Sequence, residues 1–322
     1  MSAQASSLIR RYCPDFPVNH CGELFTDTSQ FMRIGYGDVI VLDDLHYLVI
    51  RDEAERRFGL EDPKYWVKRC RVLETGERKI LKLVFHETFP MKIGQMEVRC
   101  FRSPQKESRI LNLVRGDMRF MQGFTVPDVK KNPVRVLDII HGKRLDVLVE
   151  DMECGHEEYF FTHFPNILEK YIGACEAIAF LHGNYEKHGD IRRDHLFVEY
   201  DTKNYRWIDF DYTFDFHENP FGLDLFGLGN ILVFLAGKGS HTVQSIPSLG
   251  LPAAALDAIT PDDCSIMFGN RVYNLKKLFP YVPDGLNNAL MRFSAGSSVY
   301  YDSVEELLAE LRPVSEELSR GA

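Results

Sequence analysis

Three side chains able to move a proton or bind a divalent ion gather in one short stretch of this 322-residue chain. His188-Gly189-Asp190-Ile191-Arg192-Arg193-Asp194-His195 runs into the apolar Leu196-Phe197-Val198. A polar turn over residues 200–205 follows, and then Arg206-Trp207-Ile208-Asp209-Phe210-Asp211. Apolar runs on either side of a polar turn form a hairpin, and a hairpin brings its two outer ends together. Asp190 and His195 are thereby expected beside Asp209. Carboxylates accept protons or hard cations, and a neutral imidazole is a base or a metal ligand. Either turn alone is what Asx-type capping would give. Both at hairpin spacing point to a site that handles a metal or a proton.

Long elements must hold that loop. Residues 166–182 carry Leu168, Tyr171, Ile172, Cys175, Ile178 and Leu181 at the spacing of one buried helical face, and Gly183 ends it. Residues 225–235 are apolar all round, which predicts a helix buried on every side. Residues 287–293 and 304–311 read as two more helices, the second begun by Asp302-Ser303. Upstream the period is that of strands, at 39–42, 47–50, 65–73 and 80–85, with Gly76 supplying a hairpin turn. Residues 134–140 and 145–150 read as a further strand pair around His141-Gly142-Lys143-Arg144. A β-rich first part and an α-rich second part predict an α+β chain of two lobes. Residues 1–45 read as an N-terminal extension, 46–153 as a β-rich lobe and 154–322 as a helical lobe, with the joint near 151–156.

The segment HGDIRRDHLF resembles the catalytic loop of the protein-kinase-like fold, and IDFD resembles its metal-binding segment. Leu181-His182-Gly183 is similar to the end of the helix before that loop. Asp224-Leu225-Phe226-Gly227-Leu228-Gly229 is similar to the helix start that anchors it. The resemblance spans roughly residues 46–312 and implies a bilobal fold: an antiparallel β-rich N-lobe with one key helix, and a mainly helical C-lobe. It implies ATP with Mg²⁺ or Mn²⁺ as cofactors. Asp190 would orient and deprotonate an acceptor hydroxyl, Asp209 would hold the metal with His195, and backbone at Asp151, Met152 and Glu153 would read the adenine edge.

Alternation over residues 80–85 puts Ile80, Lys82 and Val84 on one face. A lysine between two β-branched residues is costly to bury unless paired. The resemblance makes Lys82 the lysine that holds the nucleotide phosphates, with a glutamate on a following helix as partner. Ser103-Pro104 supplies an N-cap and a first-turn proline, and Glu107, Ile110, Leu111 and Val114 then share one helical face. Glu107 is therefore the expected partner, and Glu97 the runner-up.

Three departures shape the expectation. Residues 51–59, where a glycine-rich phosphate loop would stand, read RDEAERRFG and hold only Gly59, with Arg56 and Arg57 as substitute point charges. His195 replaces the asparagine of typical protein kinases; Asp-x-x-x-x-His is similar to lipopolysaccharide-core sugar kinases, and HGD to small-molecule phosphotransferases. The stretch from Asp209 to Asp224 is short and has no Ala-Pro-Glu motif. Three functions compete: a Ser/Thr protein kinase, a kinase of a sugar or lipopolysaccharide-core hydroxyl, and a binding module that keeps the fold without the chemistry.

Composition bounds these readings. With 38 Lys+Arg against 47 Asp+Glu, the net charge of −9 argues against non-specific nucleic-acid binding. Residues 92–145 are locally basic, with 12 Lys/Arg against 5 Asp/Glu, and read as a solvated face or a surface for an anionic partner. Seven scattered cysteines without CxxC spacing argue against a disulfide framework. Cys13, His20 and Cys21 lack the second pair that a zinc site needs. No apolar stretch approaches a membrane span and no signal core is present, so a cytoplasmic location is expected.

Overall fold

The structure is a computed structural model and describes residues 3–57, 60–93, 96–215, 219–250 and 256–321. The chain gathers into two compact units, Met1–Glu87 with Arg102–Ile140, and Thr88–Phe101 with His141–Ala322. The first strands are Leu24–Phe25 (β1), Val39–Leu42 (β2), Leu45–Arg57 (β3), Leu60–Val72 (β4) and Arg78–Lys82 (β5). Next come Thr88–Ile93 (β6), Met96–Arg102 (β7), Gly123–Pro127 (β8), Pro133–Asp138 (β9) and Gly142–Arg144 (β10). Leu196–Glu199 (β11), Tyr205–Trp207 (β12) and Tyr212–Asp215 (β13) complete them. Helices run over Ala3–Tyr12 (α1), Pro104–Leu113 (α2), Leu145–Glu150 (α3), His156–Thr162 (α4), Phe164–Gly183 (α5) and Gly222–Ala236 (α6). Asp284–Met291 (α7) and Val304–Gly321 (α8) end the chain.

The first unit is a seven-stranded sheet in the order β1-β2-β3-β4-β5-β9-β8, antiparallel except for the parallel β1/β2 pair. One face carries the core: Ile40, Leu42, Tyr47, Val49, Cys70, Val72, Leu81, Leu83, Val134 and Val136. Helix α1 buries Ala5 and Ile9 with Val39, Leu48 and Leu73 in a second cluster. The N-terminal stretch thus also supplies two strands of the sheet. Helix α2 begins as its sequence predicts: the Ser103 side chain accepts from the Lys106 N–H and Pro104 opens the first turn.

The second unit is built on α5 and α6. The Tyr171 hydroxyl donates to the Leu228 carbonyl at 2.7 Å, tying the two helices together. The Trp207 indole donates to the Ala174 carbonyl at 2.9 Å and fixes the β10-β11-β12 sheet on α5. A second small sheet has the order β13-β7-β6. Its apolar side gathers Val98, Cys100 and Phe214, with Phe89, Met91 and Leu223 packed against them.

Three expectations need correction. Residues 145–150 are helix, not strand, because Leu145 and Val149 are buried at i, i+4 spacing and Asp146 sits in the first turn. The last helix does not stop at residue 311. Its stripe continues through Val314 and Leu318, and Pro313 is accommodated inside it. The basic stretch over 92–145 is not one face, since Arg102, Lys106 and Arg135 within it are buried. Among the described residues no helix is long and apolar enough to cross a membrane.

One half-buried histidine should make the second unit acid-sensitive. His156 stacks on Phe279 with ring centroids 3.5 Å apart, donates from Nε2 to the Ala236 carbonyl, and accepts from the Tyr281 hydroxyl. Burial lowers its pKa to about 4, with the His241 and Lys238 charges adding and the Ala236 carbonyl opposing. A histidine held neutral when folded binds a proton more readily when unfolded. Its contribution is therefore complete above the unfolded value near ~6.5 and is lost as pH falls toward about 4. Wild-type stability should drop through that window by on the order of 2 kcal/mol from this ring, discounted for partial solvent access. Thermal melts of His156→Phe, which keeps the stacking and cannot charge, should show a shallower acid limb. Equal slopes in the two proteins would remove His156 from the acid response.

Candidate active site

The loop after α5 is held by α6. Asp224, in the first turn of α6, accepts the His188 N–H at 2.7 Å and the Gly189 N–H at 2.8 Å. It also accepts the His182 ring N–H at 3.0 Å. A buried carboxylate with three donors is well satisfied, and it pins the loop to the helix N-terminus. Gly189 has φ +86°, a conformation that a side chain disfavours. Gly227 is needed for closeness: a Cβ there would lie 2.6 Å from the Cβ of Ile191. The sequence pattern around Asp224 predicted this anchor. The His182 contact gave no signal, because one helical histidine looks like any other.

The hairpin forms in the expected register, with Leu196 opposite Trp207 and the Ile208 N–H donating to the His195 carbonyl at 3.0 Å. Its mouth brings the three side chains together. His195 Nε2 stands 3.7 Å from Asp209 Oδ2, and His195 Nδ1 stands 3.5 Å from Asp190 Oδ2. His195 Nδ1 also donates to the Asp190 carbonyl at 2.8 Å. A carbonyl can only accept, so the neutral ring carries its proton on Nδ1 and turns the Nε2 lone pair toward Asp209. The bond to a backbone carbonyl is thus what orients the imidazole as a ligand.

Asp209 has φ +67°, in the left-handed region that non-glycine residues use sparingly and that clusters at functional sites. Burial pushes the Asp190 carboxyl above the ordinary aspartate range. The Asp209 and Asp194 charges add to this, while His195 and Arg192 oppose it. Asp194 is half-buried as well, yet His195 and its two hydrogen bonds from Arg192 hold it well below that range. Neighbouring carboxylates in one loop are thereby pushed apart in proton affinity, which suits Asp190 to take up a proton.

No group of three or more His, Cys, Asp or Glu side chains placed to hold a metal is found among the described residues. One carboxylate and one oriented imidazole are nonetheless a sufficient protein share for an ion that completes its shell with phosphate oxygens and water. The donor set fits such an ion.

In the first unit, Lys82 Nζ lies 2.9 Å from Glu107 Oε1, and Glu107 is fully buried. Sequence reasoning missed the third member. Arg135 stands directly across from Lys82 in the β5/β9 ladder and donates from Nε to Glu107 Oε2 at 2.9 Å. Its remaining nitrogens donate to the Pro133 and Leu83 carbonyls. Like charges directly opposite on a sheet repel, and Glu107 from α2 bridges them. The available signal was a charged residue inside the apolar run Val134-Arg135-Val136. Glu97, the runner-up, is exposed on β7 in the second unit.

Gly59 lies outside the described residues, as do the side chains of Arg56 and Arg57. Asp151, Met152 and Glu153 follow α3, and part of their backbone is engaged. The Asp151 and Met152 N–H groups donate to Val147 and Val149. The Met152 carbonyl accepts from the Cys154 N–H and from Lys238 Nζ. Cys13 and Cys21 are buried apolar thiols, with Cys13 Sγ accepting from Arg71.

No family model matches the chain, and no curated protein matches it by sequence. Among solved structures, the crystal structure of the Mycobacterium tuberculosis PknI kinase domain is similar to this chain with a TM-score of 0.47 and 11% sequence identity, covering 85% of this chain and 97% of that one.

Proposed function

We propose that the chain is a phosphotransferase of the protein-kinase-like kind, dependent on ATP and on Mg²⁺ or Mn²⁺. The observation that carries this reading is the hairpin mouth: an oriented imidazole, His195, stands 3.5 Å from the half-buried Asp190 and 3.7 Å from Asp209, whose backbone is left-handed. In the reaction, an acceptor hydroxyl oxygen bonds to the γ-phosphorus as the bond to the leaving ADP oxygen breaks. The hydroxyl proton passes to Asp190. Asp209 and His195 would hold the metal, which when bound neutralises charge on the phosphates. Lys82, kept extended by Glu107, would place phosphate oxygens. Catalysis of this type is mostly positioning and charge stabilisation, so few side chains are required.

A protein Ser/Thr hydroxyl is the acceptor that the resemblance favours. A second reading, transfer to a small hydroxyl compound, is favoured by the half-open pocket beside Asp190.

Thermal melts with millimolar ATP and Mn²⁺ or Mg²⁺ test the reading. A ligand at one hundred times its Kd stabilises the native state by about 2.7 kcal/mol, which is a rise of several degrees. Asp209→Ala should remove the metal-dependent part of that rise. No shift with either metal would overturn the ATP-dependent reading and leave the binding module.

A further inference from the structure

Asp190 opens onto a cavity of about 300 Å³ in the second unit, at the small end for ligand sites. Its wall carries Arg192, Arg193 and Arg271, along with Asn230 and Ser240. These cations are not equivalent. Arg192 is matched by Asp194, with hydrogen bonds of 3.1 and 2.6 Å. Arg193 reaches a carboxylate only at 3.9 Å, on Asp146, which Arg144 already engages through two hydrogen bonds. Among the described residues Arg271 has no carboxylate partner, and its guanidinium donates to the neutral Asn230 Oδ1 at 3.1 Å. Burial, with repulsion from Arg193, pulls Arg271 below the ordinary guanidinium range, and Tyr273 opposes the shift.

Both guanidiniums are set in place before anything binds. Arg271 lies over the Phe268 ring at 4.3 Å, and Arg193 lies over Phe234 at 4.7 Å while donating to Ser240 Oγ. A planar fork held flat loses little further freedom on meeting a planar or tetrahedral oxyanion. Asn230 Oδ1 is taken by Arg271 and by the Tyr273 hydroxyl, which leaves its amide N–H groups to face the cavity. The wall therefore offers donors and three guanidiniums against two carboxylates, Asp190 and Asp194, the second of which Arg192 already engages. A neutral acceptor would leave the half-buried Arg271 without a counter-charge and the exposed Arg193 with only the distant Asp146, and a dianion would match both.

We propose that the acceptor is a small hydroxyl compound that already carries a phosphomonoester, bound by Arg271 and Arg193 while its hydroxyl faces Asp190. This rests on the phosphotransferase reading and narrows its substrate. The product would then carry two phosphoryl groups, the new one on the oxygen whose proton Asp190 takes.

Calorimetry with the full chain tests it, using glycerol 3-phosphate and glucose 6-phosphate against glycerol and glucose, inorganic phosphate, and a phosphoserine peptide. Wild type should bind the two sugar-type phosphates at least tenfold more tightly than their neutral parents, and inorganic phosphate should compete. Arg271→Gln should weaken that binding about 10–100-fold, the size of a lost charge-assisted hydrogen bond, and Arg271→Lys should retain part of it. Arg193→Gln gives the same answer if Arg271→Gln fails to fold. Equal binding of phosphorylated and neutral compounds, or binding indifferent to both arginines, overturns the proposal. A phosphoserine peptide that binds tenfold more tightly than the small phosphates also overturns it, in favour of a peptide. Phosphate binding that survives while ATP and metal give no thermal shift sinks the phosphotransferase reading and leaves the anion site.

Discussion

Replacing Asp190 with Asn should leave a folded protein that has lost most of its phosphotransfer. The loop around Asp190 is held by main-chain groups. Its carbonyl accepts from the His195 ring, its N–H donates to His188 Nδ1 at 3.3 Å, and Asp224 pins the two residues before it. None of these bonds uses the Asp190 carboxylate. Its closest ionisable neighbours stand at 3.5 Å for His195 and 4.0 Å for Arg192. Asn keeps the shape and removes the proton acceptor, and loss of a general base costs roughly 10²–10⁴-fold in rate. Single-turnover transfer from labelled ATP, alongside a thermal melt, separates chemistry from folding. A variant with full turnover would rule out Asp190 as the base.

Glu107 should be the most destabilising single position in the first unit. It is fully buried and receives two cations, Lys82 and Arg135, that face each other across β5 and β9. Glu107→Ala leaves both without their shared counter-charge. Breaking a buried ion pair in this way costs about 3–5 kcal/mol. Lys82→Met should cost less, because Glu107 then still has Arg135. Denaturant titration of the single and double variants measures the coupling, which for neighbours in one network is about 0.5–3 kcal/mol. The reverse order, with Lys82→Met the more damaging, would mean that Arg135 does not carry Glu107.

The sequence disclosed the site's chemistry better than its surroundings. Asp190, His195 and Asp209 were legible because a hairpin fixes which residues meet at its mouth, and turn, register and polarity are all local. Glu107 was legible because a charge on an apolar helical stripe demands a partner. Arg135 was not, since its place depends on which strand lies beside β5, and β9 is over fifty residues farther along the chain. The short run Leu145–Glu150 satisfies strand and helix patterns alike. The pair β6 and β7 escaped notice although Val98 and Cys100 alternate inward, because Pro90 within β6 masks the period.

The sheet β13-β7-β6 has a consequence for how this chain can be divided. Its middle strand comes from the segment 88–101, and its partner β13 is more than a hundred residues downstream. A gene split after codon 140 would strand β6 and β7 on the wrong fragment. The other fragment would carry β13 with an open edge and Phe214 uncovered, a template for aggregation. Neither half could be inherited, transplanted or produced alone as a sound module. The fragments should recover only when refolded together, so that β7 is returned to β13.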